Sequence, residues 1–198
     1  MRVIGLTGSI GSGKSSVAQF LSEMGAVVID ADKLGHEVFK PENPAWREVI
    51  DTFGNEILTP SNEIDRRKLG AIVFNNPERL KRLNRIMHPR ILEVVKAKLE
   101  ELRRQGAEVV VLEATLLIEA GWTSLVDEVW VTVSSKDSVV DRLKERGLSK
   151  AESLERILSQ TTSEERAKHA DVIIKNEGSL DELKTQVKQL WQRLQSTG

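Results

Sequence analysis

The chain has 198 residues, and 29 Lys and Arg against 30 Asp and Glu give it a formal net charge of −1. It contains no cysteine, which excludes disulfides, cysteine-based zinc sites, iron–sulfur clusters and thiol catalysis. The balanced charge argues against a general nucleic-acid binder, and no stretch approaches the 18 apolar residues of a membrane span. We therefore expect a cytoplasmic protein of one α/β domain, or one core plus a small insertion, that acts without nucleic acid or membrane.

Five short apolar runs are rich in Val, Ile and Leu and show little polar alternation. This pattern is typical of strands that are buried on both faces of a parallel sheet. In chain order the predicted strands are Arg2–Thr7, Ala26–Asp30, Glu108–Glu113, Glu128–Val133 and Val172–Lys175. Helical patterns lie between them, and two of these begin with the capping-box sequences Ser149-x-x-Glu152 and Ser179-x-x-Glu182. The alternation predicts a doubly wound α/β fold with helices flanking a five-stranded parallel sheet.

Two segments interrupt this alternation. The long stretch between the second and third predicted strands shows only short helical patterns, which predicts a helical insertion over residues 33–90 that supplies an acceptor site. Inside it, Pro89 suits the first position of a new helix. Capping or packing is the simpler interpretation of His88, and substrate contact is the alternative. A second, charge-rich excursion covers residues 141–166.

The segment Gly8–Ser15 matches the phosphate-loop pattern G-x-x-x-x-G-K-[ST] in full, between an apolar strand and an amphipathic helix. Its glycines let backbone N–H groups turn toward phosphate oxygens, and the following helix directs its positive end at the same anion. We expect Lys14 to bridge the β- and γ-phosphates of ATP and the Ser15 hydroxyl to bind Mg²⁺. The residues expected to bind the triphosphate are Gly11, Ser12, Gly13, Lys14, Ser15 and Ser16.

Carboxylates end two of the predicted strands: Asp30 and Asp32 the second, and Glu113 the third. Ligands of doubly wound sheets lie outside these strand ends, so we expect the acids near the γ-phosphate. If the extended backbone persists, Asp30 and Asp32 project to the same side. One of them, with Asp32 favoured, takes a proton from an attacking hydroxyl, and Asp30 or Glu113 binds a water of the Mg²⁺ shell. A helix cap is the alternative for the aspartates, and a substrate contact is the alternative for Glu113.

The excursion at 141–166 contains Arg142, Arg146, Arg156 and Arg166, and the first two are spaced to share a helix face. On a mobile segment such arginines can fold over a triphosphate, neutralise transition-state charge and exclude water. A solvated helix face with surface ion pairs is the simpler interpretation of the arginines alone, but the phosphate loop favours a lid.

An ordered set of further motifs accompanies the loop. It comprises Ile4–Ser15, Asp30-Ala-Asp32, Ile64–Leu69, Val73-Phe74, His88-Pro89, Leu116-Leu-Ile-Glu119, the Arg142/Arg146 pair with Gly147-Leu-Ser149, Gln160 and Ala170–Asn176. With these motifs the chain resembles the dephospho-coenzyme A kinases over nearly its whole length. The resemblance implies ATP-dependent phosphorylation of the ribose 3′-hydroxyl of dephospho-CoA, which gives CoA and ADP in the last step of CoA synthesis.

The resemblance also implies a P-loop NTPase architecture related to adenylate kinase. Its core would be 1–32, 91–140 and 167–198, with a CoA-binding insertion at 33–90 and a lid at 141–166. Asp32 would be the base, and Lys14 and Arg142 would stabilise the transferring phosphoryl group. Arg146 and Asn176 would bind ATP, the latter near adenine. The other implied substrate contacts are Arg66, His88, Glu113, Leu116 and Leu117.

Two departures from the family pattern stand near these sites. Ser9 occupies a position where many members have glycine, and Glu113-Ala-Thr115 stands where many have an Asp and a Pro. Rival hypotheses are a P-loop kinase for another small hydroxyl or a nucleoside monophosphate, and an ATPase or switch module that acts through a partner. Because the apolar stripes can be satisfied within one chain, we expect a monomer or a weak homo-oligomer.

Overall fold

The computed structural model describes residues 1–73 and 76–196, so Phe74 of the Val73-Phe74 motif lies outside the described residues. Five parallel strands form one sheet in the order β2-β3-β1-β4-β5. Their bounds are β1 Arg2–Gly8, β2 Val27–Asp30, β3 Val109–Glu113, β4 Glu128–Val133 and β5 Val172–Lys175. This sheet, flanked by helices, confirms the predicted fold class.

The helices follow the strands in alternation, except in the long segment after β2. They are α1 Lys14–Glu23, α2 Ala31–Val38, α3 Pro44–Phe53, α4 Arg66–Val73, α5 Pro77–Arg104, α6 Lys136–Glu145, α7 Lys150–Leu158, α8 Ser163–Ala167 and α9 Leu180–Ser196. Short 3₁₀ turns lie at Asn55–Ile57 and Trp122–Leu125. Both predicted capping boxes are present, at the starts of α7 and α9. None of the helices in the described ranges is long and apolar enough to cross a membrane.

The chain divides into two compact units, one of Met1–Asp30 with Leu102–Gly198 and one of Ala31–Glu101. In the first unit, α1 and α9 pack against the sheet around fully buried Leu6, Leu21 and Trp130. Each side chain of this size stabilises the fold by about 1.5–3 kcal/mol when fully buried. This burial holds β1 and the helix that follows it in one rigid arrangement.

The strand register aligns the carboxyl ends of three neighbouring strands. Leu6 of β1 pairs with Glu113 of β3, and Glu113 pairs with Asp30 of β2. The chain runs from β1 to β2 on one side of the sheet and reaches β4 and β5 on the other. The loop after β1 therefore leaves the sheet where the strand order reverses, which is where doubly wound folds bind ligands.

The second unit is helical, and Val49, Phe53, Ile57 and Met87 lie in its apolar cluster. One prediction is wrong here: Pro89 begins no new helix but lies inside α5, which runs unbroken through Pro77–Arg104. An internal proline costs about 3 kcal/mol. Apolar side chains from both sides of it contribute to the same cluster, namely Leu83, Ile86, Met87, Ile91 and Val94. Their combined burial outweighs that cost.

Candidate active site

The phosphate loop connects the end of β1 to the first turn of α1. Gly11 and Gly13 have φ angles of 72° and 99°, in the left-handed region that favours glycine. A Cβ on Gly13 would also overlap the Nδ2 atom of Asn176. Backbone conformation and space therefore both require glycine at position 13.

A cavity of about 220 Å³ opens on the inner side of this loop. Six residues of the loop and the first turn of α1 line it, and Thr115, Arg146 and Gln160 complete the wall. The Oε1 atom of Gln160 accepts a hydrogen bond of 2.9 Å from the Ile10 N–H, which attaches the segment after α7 to the loop. Lys14, Arg146 and the N-terminus of α1 all direct positive charge into this cavity, so it favours an anion.

The outer side of the loop is held by polar side chains at the carboxyl ends of β4 and β5. Ser12 is fully buried, and its Oγ atom lies 2.6 Å from the Oγ1 atom of Thr132. The Asn176 side chain donates from Nδ2 to the Ser12 carbonyl at 2.9 Å. The Ser134 hydroxyl donates to the Asn176 carbonyl at 2.8 Å. Together these bonds anchor the loop to the two strand ends.

Arg142, on α6, completes this outer network. Its Nη1 atom donates to the Gly11 carbonyl at 3.1 Å and to the Ser134 hydroxyl at 2.9 Å. Its Nη2 atom donates to the Asn176 carbonyl at 2.8 Å. In this structure the half-buried guanidinium therefore contacts the back of the phosphate loop.

A hydroxyl and a carboxylate meet at the start of α1. The Ser15 hydroxyl donates to the Oε1 atom of Glu113 at 2.9 Å, and Glu113 is 8% exposed. The register places Asp30 beside Glu113 on the neighbouring strand. Oxygen atoms that could bind a metal ion or its waters are thus concentrated at the edge of the phosphate cavity.

Asp32 does not continue strand β2, as the extended-backbone expectation required. Helix α2 begins at Ala31 and puts Asp32 in its first turn, where a carboxylate is stabilised by the helix dipole. The alternation argument that placed Asp30 and Asp32 on one side therefore fails. Asp32 is exposed and belongs to the second unit.

The other predicted substrate residues lie in different environments. In the second unit, Arg66 is the exposed first residue of α4, and His88 is half-buried in α5. Burial lowers the pKa of His88. In the first unit, Leu116 is 38% exposed, whereas Leu117 is fully buried against Gly5. The family resemblance implies that both leucines contact the substrate. In this structure only Leu116 is accessible to a substrate, because Leu117 is fully buried.

Arg166 also differs from its expected place over the triphosphate. It is fully buried in α8, and its Nε and Nη2 atoms donate to the Oε1 atom of Glu119 at 3.2 and 2.8 Å. Burial alone would raise the pKa of Glu119, but hydrogen bonds from its own backbone, Thr161 and Arg166 together lower it. Arg156 is exposed on α7.

Sequence reasoning missed Thr132 and Ser134 and assigned no role to Gln160. A signal existed for the first two. Both are polar residues at the carboxyl end of β4, the sheet edge at which ligands were expected. For Gln160, only the family motif marked the residue, because its contact with Ile10 spans 150 residues of sequence.

The comparisons with known proteins agree with this geometry. A family model described as CoaE, dephospho-CoA kinase, matches residues 2–182. The chain belongs to the dephospho-CoA kinase family. Dephospho-CoA kinases of Carboxydothermus hydrogenoformans and Dehalococcoides mccartyi are 46% and 44% identical to it, each over 96% of this chain. The matches cover 93% and 96% of those two proteins.

Solved structures place the chain in the same family of folds. The crystal structure of TT1252 from Thermus thermophilus is 36% identical, with a TM-score of 0.82 over 98% of this chain and 97% of that one. The dephospho-CoA kinase from Campylobacter jejuni is 30% identical, with a TM-score of 0.73 over 98% of both chains. A shikimate kinase from Acinetobacter baumannii, 11% identical, has a TM-score of 0.59 over 100% of this chain and 94% of that one, and shares the fold alone. As a dephospho-CoA kinase family member, the enzyme uses ATP to phosphorylate a hydroxyl group.

Proposed function

We propose that this kinase transfers the γ-phosphoryl group of ATP to the ribose 3′-hydroxyl of dephospho-CoA, giving CoA and ADP. The observation that carries the proposal is a cationic phosphate cavity in a chain that matches the dephospho-CoA kinase family model over residues 2–182. The acceptor oxygen forms a bond to the γ-phosphorus, and the bond from that phosphorus to the β–γ bridging oxygen breaks.

Lys14 and the loop N–H groups are the phosphate ligands in this proposal. Lys14 is the first residue of α1 and lines the cavity, so its ammonium can neutralise the charge that develops on the transferring group. The loop glycines leave room for a phosphate to approach the backbone closely. We propose Gly11–Ser16 as the ATP-binding segment, with Arg146 beside it and Asn176 toward the adenine.

Asp32 is the proposed base for the acceptor hydroxyl. It lies two residues beyond Asp30, whose strand neighbour Glu113 accepts the Ser15 hydrogen bond. Its exposed carboxylate can take the 3′-hydroxyl proton as the oxygen attacks. Such a base typically contributes about 10²–10⁴-fold to the rate.

The oxygen donors at the cavity edge fit Mg²⁺, which prefers hard oxygen ligands and retains several waters. The Ser15 hydroxyl would hold the ion, and Asp30 or Glu113 would bind its waters. No cluster of three His, Asp or Glu residues suited to a metal occurs within residues 1–73 and 76–196. Mg²⁺ held by one hydroxyl, waters and ATP needs no such cluster. When bound, Mg²⁺ supplies charge neutralisation on the β- and γ-phosphate oxygens.

The helical insertion, residues 33–90, is the proposed binding region for dephospho-CoA. Its segment 64–90 carries eight Lys and Arg against two Asp and Glu, in a chain of net charge −1. Among these cations, Arg66, Arg82 and Arg85 are exposed, and none of these three has an ion pair within the described part of the chain, whereas Arg90 pairs with Glu48. An excess of exposed cations suits the diphosphate of dephospho-CoA. We propose Arg66 and His88 as contacts there. In the first unit, we propose Leu116 and Glu113 as further substrate contacts.

The remaining assignments complete the proposal. The nucleotide-binding core is 1–32, 91–140 and 167–198, and residues 141–166 act as the lid. We propose that the enzyme works in the cytoplasm, without nucleic acid, as a monomer or weak homo-oligomer.

The test measures ADP release from MgATP with and without dephospho-CoA, together with the mass of the product. We expect ADP only with dephospho-CoA, and one phosphate added to the acceptor. Asp32→Asn should still bind ATP but lose about 10²–10⁴-fold in turnover. Asp181→Asn, which alters an exposed carboxylate of α9 outside the insertion and the lid, is the matched control and should keep full activity.

Two results would count against the proposal. If a nucleoside monophosphate or another hydroxyl compound stimulated ADP release and dephospho-CoA did not, the assignment of dephospho-CoA as the acceptor would be overturned. Full turnover in Asp32→Asn would remove Asp32 as the base and leave the acceptor assignment standing.

A further inference from the structure

The two arginines expected to act together on the lid have opposite environments. Arg142 is half-buried, and both of its Nη atoms donate to acceptors behind the phosphate loop. Arg146 is exposed and lines the phosphate cavity itself. Over the ranges that the structure describes, the guanidinium of Arg146 has neither an ion pair nor a hydrogen bond.

We infer that Arg146 contacts the phosphates, whereas Arg142 is a positioning residue that holds the loop in its binding shape. The inference rests on the proposed function. The sequence assigned triphosphate binding to both arginines, and the inference gives that role to Arg146 alone.

The loop needs a donor such as Arg142 for a physical reason. A backbone segment that turns its N–H groups inward to bind phosphate turns carbonyl groups outward, and buried carbonyls require donors. Arg142 supplies one to Gly11, and Asn176 supplies one to Ser12. The planar guanidinium donates to the Gly11 carbonyl, the Ser134 hydroxyl and the Asn176 carbonyl at once. A lysine cannot replace it, because all the N–H donors of its ammonium group are on one nitrogen atom.

The end of α6 explains why the two arginines differ despite their spacing of four. Helix α6 ends at Glu145, Arg146 is its C-cap residue, and Gly147 follows with a φ angle of 87°. Arg142 is still within the helix, where neighbouring Val139 and Leu143 are buried. A cation at the helix C-cap is electrostatically favourable there and leaves its head group accessible.

The first test compares the melting temperatures of the full-length protein and its variants, without nucleotide and with saturating MgATP. Arg142→Ala should melt several degrees lower without nucleotide, because its hydrogen bonds exist in the free enzyme. Arg146→Ala should melt within about 1 °C of the unmodified enzyme without nucleotide, because its side chain is exposed and unbonded. With ATP, Arg146→Ala should gain less stability than the unmodified enzyme.

The second test separates KM from kcat. Arg146→Ala should lose about 10²–10³-fold in kcat, the loss typical of removing one transition-state donor. Arg142→Ala should raise KM for ATP about tenfold, with a smaller loss in kcat. Arg146→Lys should restore part of kcat because the charge remains, whereas Arg142→Lys should not restore KM. Lys144→Ala, an exposed cation of the same helix, is the matched control.

A double-mutant cycle supplies the third test. Arg142→Ala and Asn176→Ala remove parts of one network, so their effects on KM for ATP should be non-additive. Arg146→Ala and Asn176→Ala should be additive.

The inference is overturned if Arg146→Ala keeps its kcat, or if Arg142→Ala keeps its nucleotide-free melting temperature and loses more kcat than Arg146→Ala. The melting and ATP-binding measurements need no acceptor. Failure of dephospho-CoA as substrate would therefore refute the proposed function and leave this division of roles separately testable.

Discussion

Replacing Glu119 with glutamine tests how much the fold depends on one buried charge. Arg166 is fully buried, and its partner Glu119 is 25% exposed. Two hydrogen bonds join them, while the Nη1 atom of Arg166 has no hydrogen-bond partner among the described residues. The change removes the only negative charge shown against this guanidinium in the described structure, and keeps the size of the side chain.

The magnitude follows from the burial of the pair. Removing one partner of a buried ion pair costs about 3–5 kcal/mol, because the other charge remains buried without compensation. Glu119 is partly exposed, and glutamine can still accept a hydrogen bond, so we expect a loss of about 2–3 kcal/mol at pH 7. This corresponds to a melting temperature about 4–12 °C lower.

The loss should also depend on pH. Burial alone would raise the pKa of Glu119, but its hydrogen bonds and Arg166 lower it below the ordinary value of 4.5. A carboxyl with a lowered folded-state pKa stabilises the protein above its unfolded-state pKa, and this stabilisation is lost as the pH falls through the folded-state pKa. The difference between the unmodified protein and Glu119→Gln should therefore be largest at neutral pH and shrink below pH 4.5.

Urea unfolding followed by tryptophan fluorescence measures this loss. In a Trp46→Phe background, the remaining tryptophans, at 122, 130 and 191, all belong to the first unit. Glu165→Gln is the control, since its ion pair with Lys168, the C-cap residue of α8, is exposed and should contribute nothing measurable. An equal loss in both variants, or a difference that does not change with pH, would refute the reasoning.

Four further predictions concern the core, the loop, one histidine and the lid. Leu21→Ala should lower the free energy of unfolding by about 2–5 kcal/mol, whereas Leu180→Ala, at a position 61% exposed, should leave it unchanged in urea titrations. Gly13→Ala should abolish ATP binding measured by calorimetry, because a Cβ does not fit there. Burial lowers the pKa of His88, so protonation of His88 destabilises the fold as the pH falls below the ordinary pKa of 6.5. When the pH is lowered from about 7.5 to 5.5, the melting temperature of His88→Asn should therefore fall less than that of the unmodified protein. Gln160→Ala frees the loop from the segment after α7 and should raise KM for ATP about tenfold in steady-state assays.

The sheet could be predicted from sequence because each strand is a short apolar run. The predicted bounds of the fourth and fifth strands match β4 and β5, and the other three differ by one residue at one end. A strand that is buried on both faces requires apolar residues at nearly every position, so such runs are recognisable in the sequence. The prediction that Pro89 begins a new helix was wrong because it used local propensity alone. Packing of apolar side chains on both sides of Pro89 into one cluster favours a single long helix.

The inner side of the phosphate site was similarly accessible to sequence reasoning, and the outer side was not. The glycines, Lys14 and Ser15 are contiguous, so their chemistry is visible as a pattern. The contacts of Arg142 with Gly11 and of Asn176 with Ser12 span 131 and 164 residues. Spacing alone put Arg142 and Arg146 on one helix face, but the end of α6 separates them.

The strand order nevertheless supplies a rule that would have found the outer network. Strand β1 lies between β3 and β4, and β5 lies beyond β4. An acid that ends the neighbouring strand β3 therefore reaches one flank of the loop after β1, as Glu113 reaches Ser15. Polar residues that follow β4 and β5 reach the other flank, as Ser134 and Asn176 do. Because a loop that turns its N–H groups toward phosphate must find donors for its outward carbonyls, hydroxyl, amide or guanidinium groups are required on that second flank.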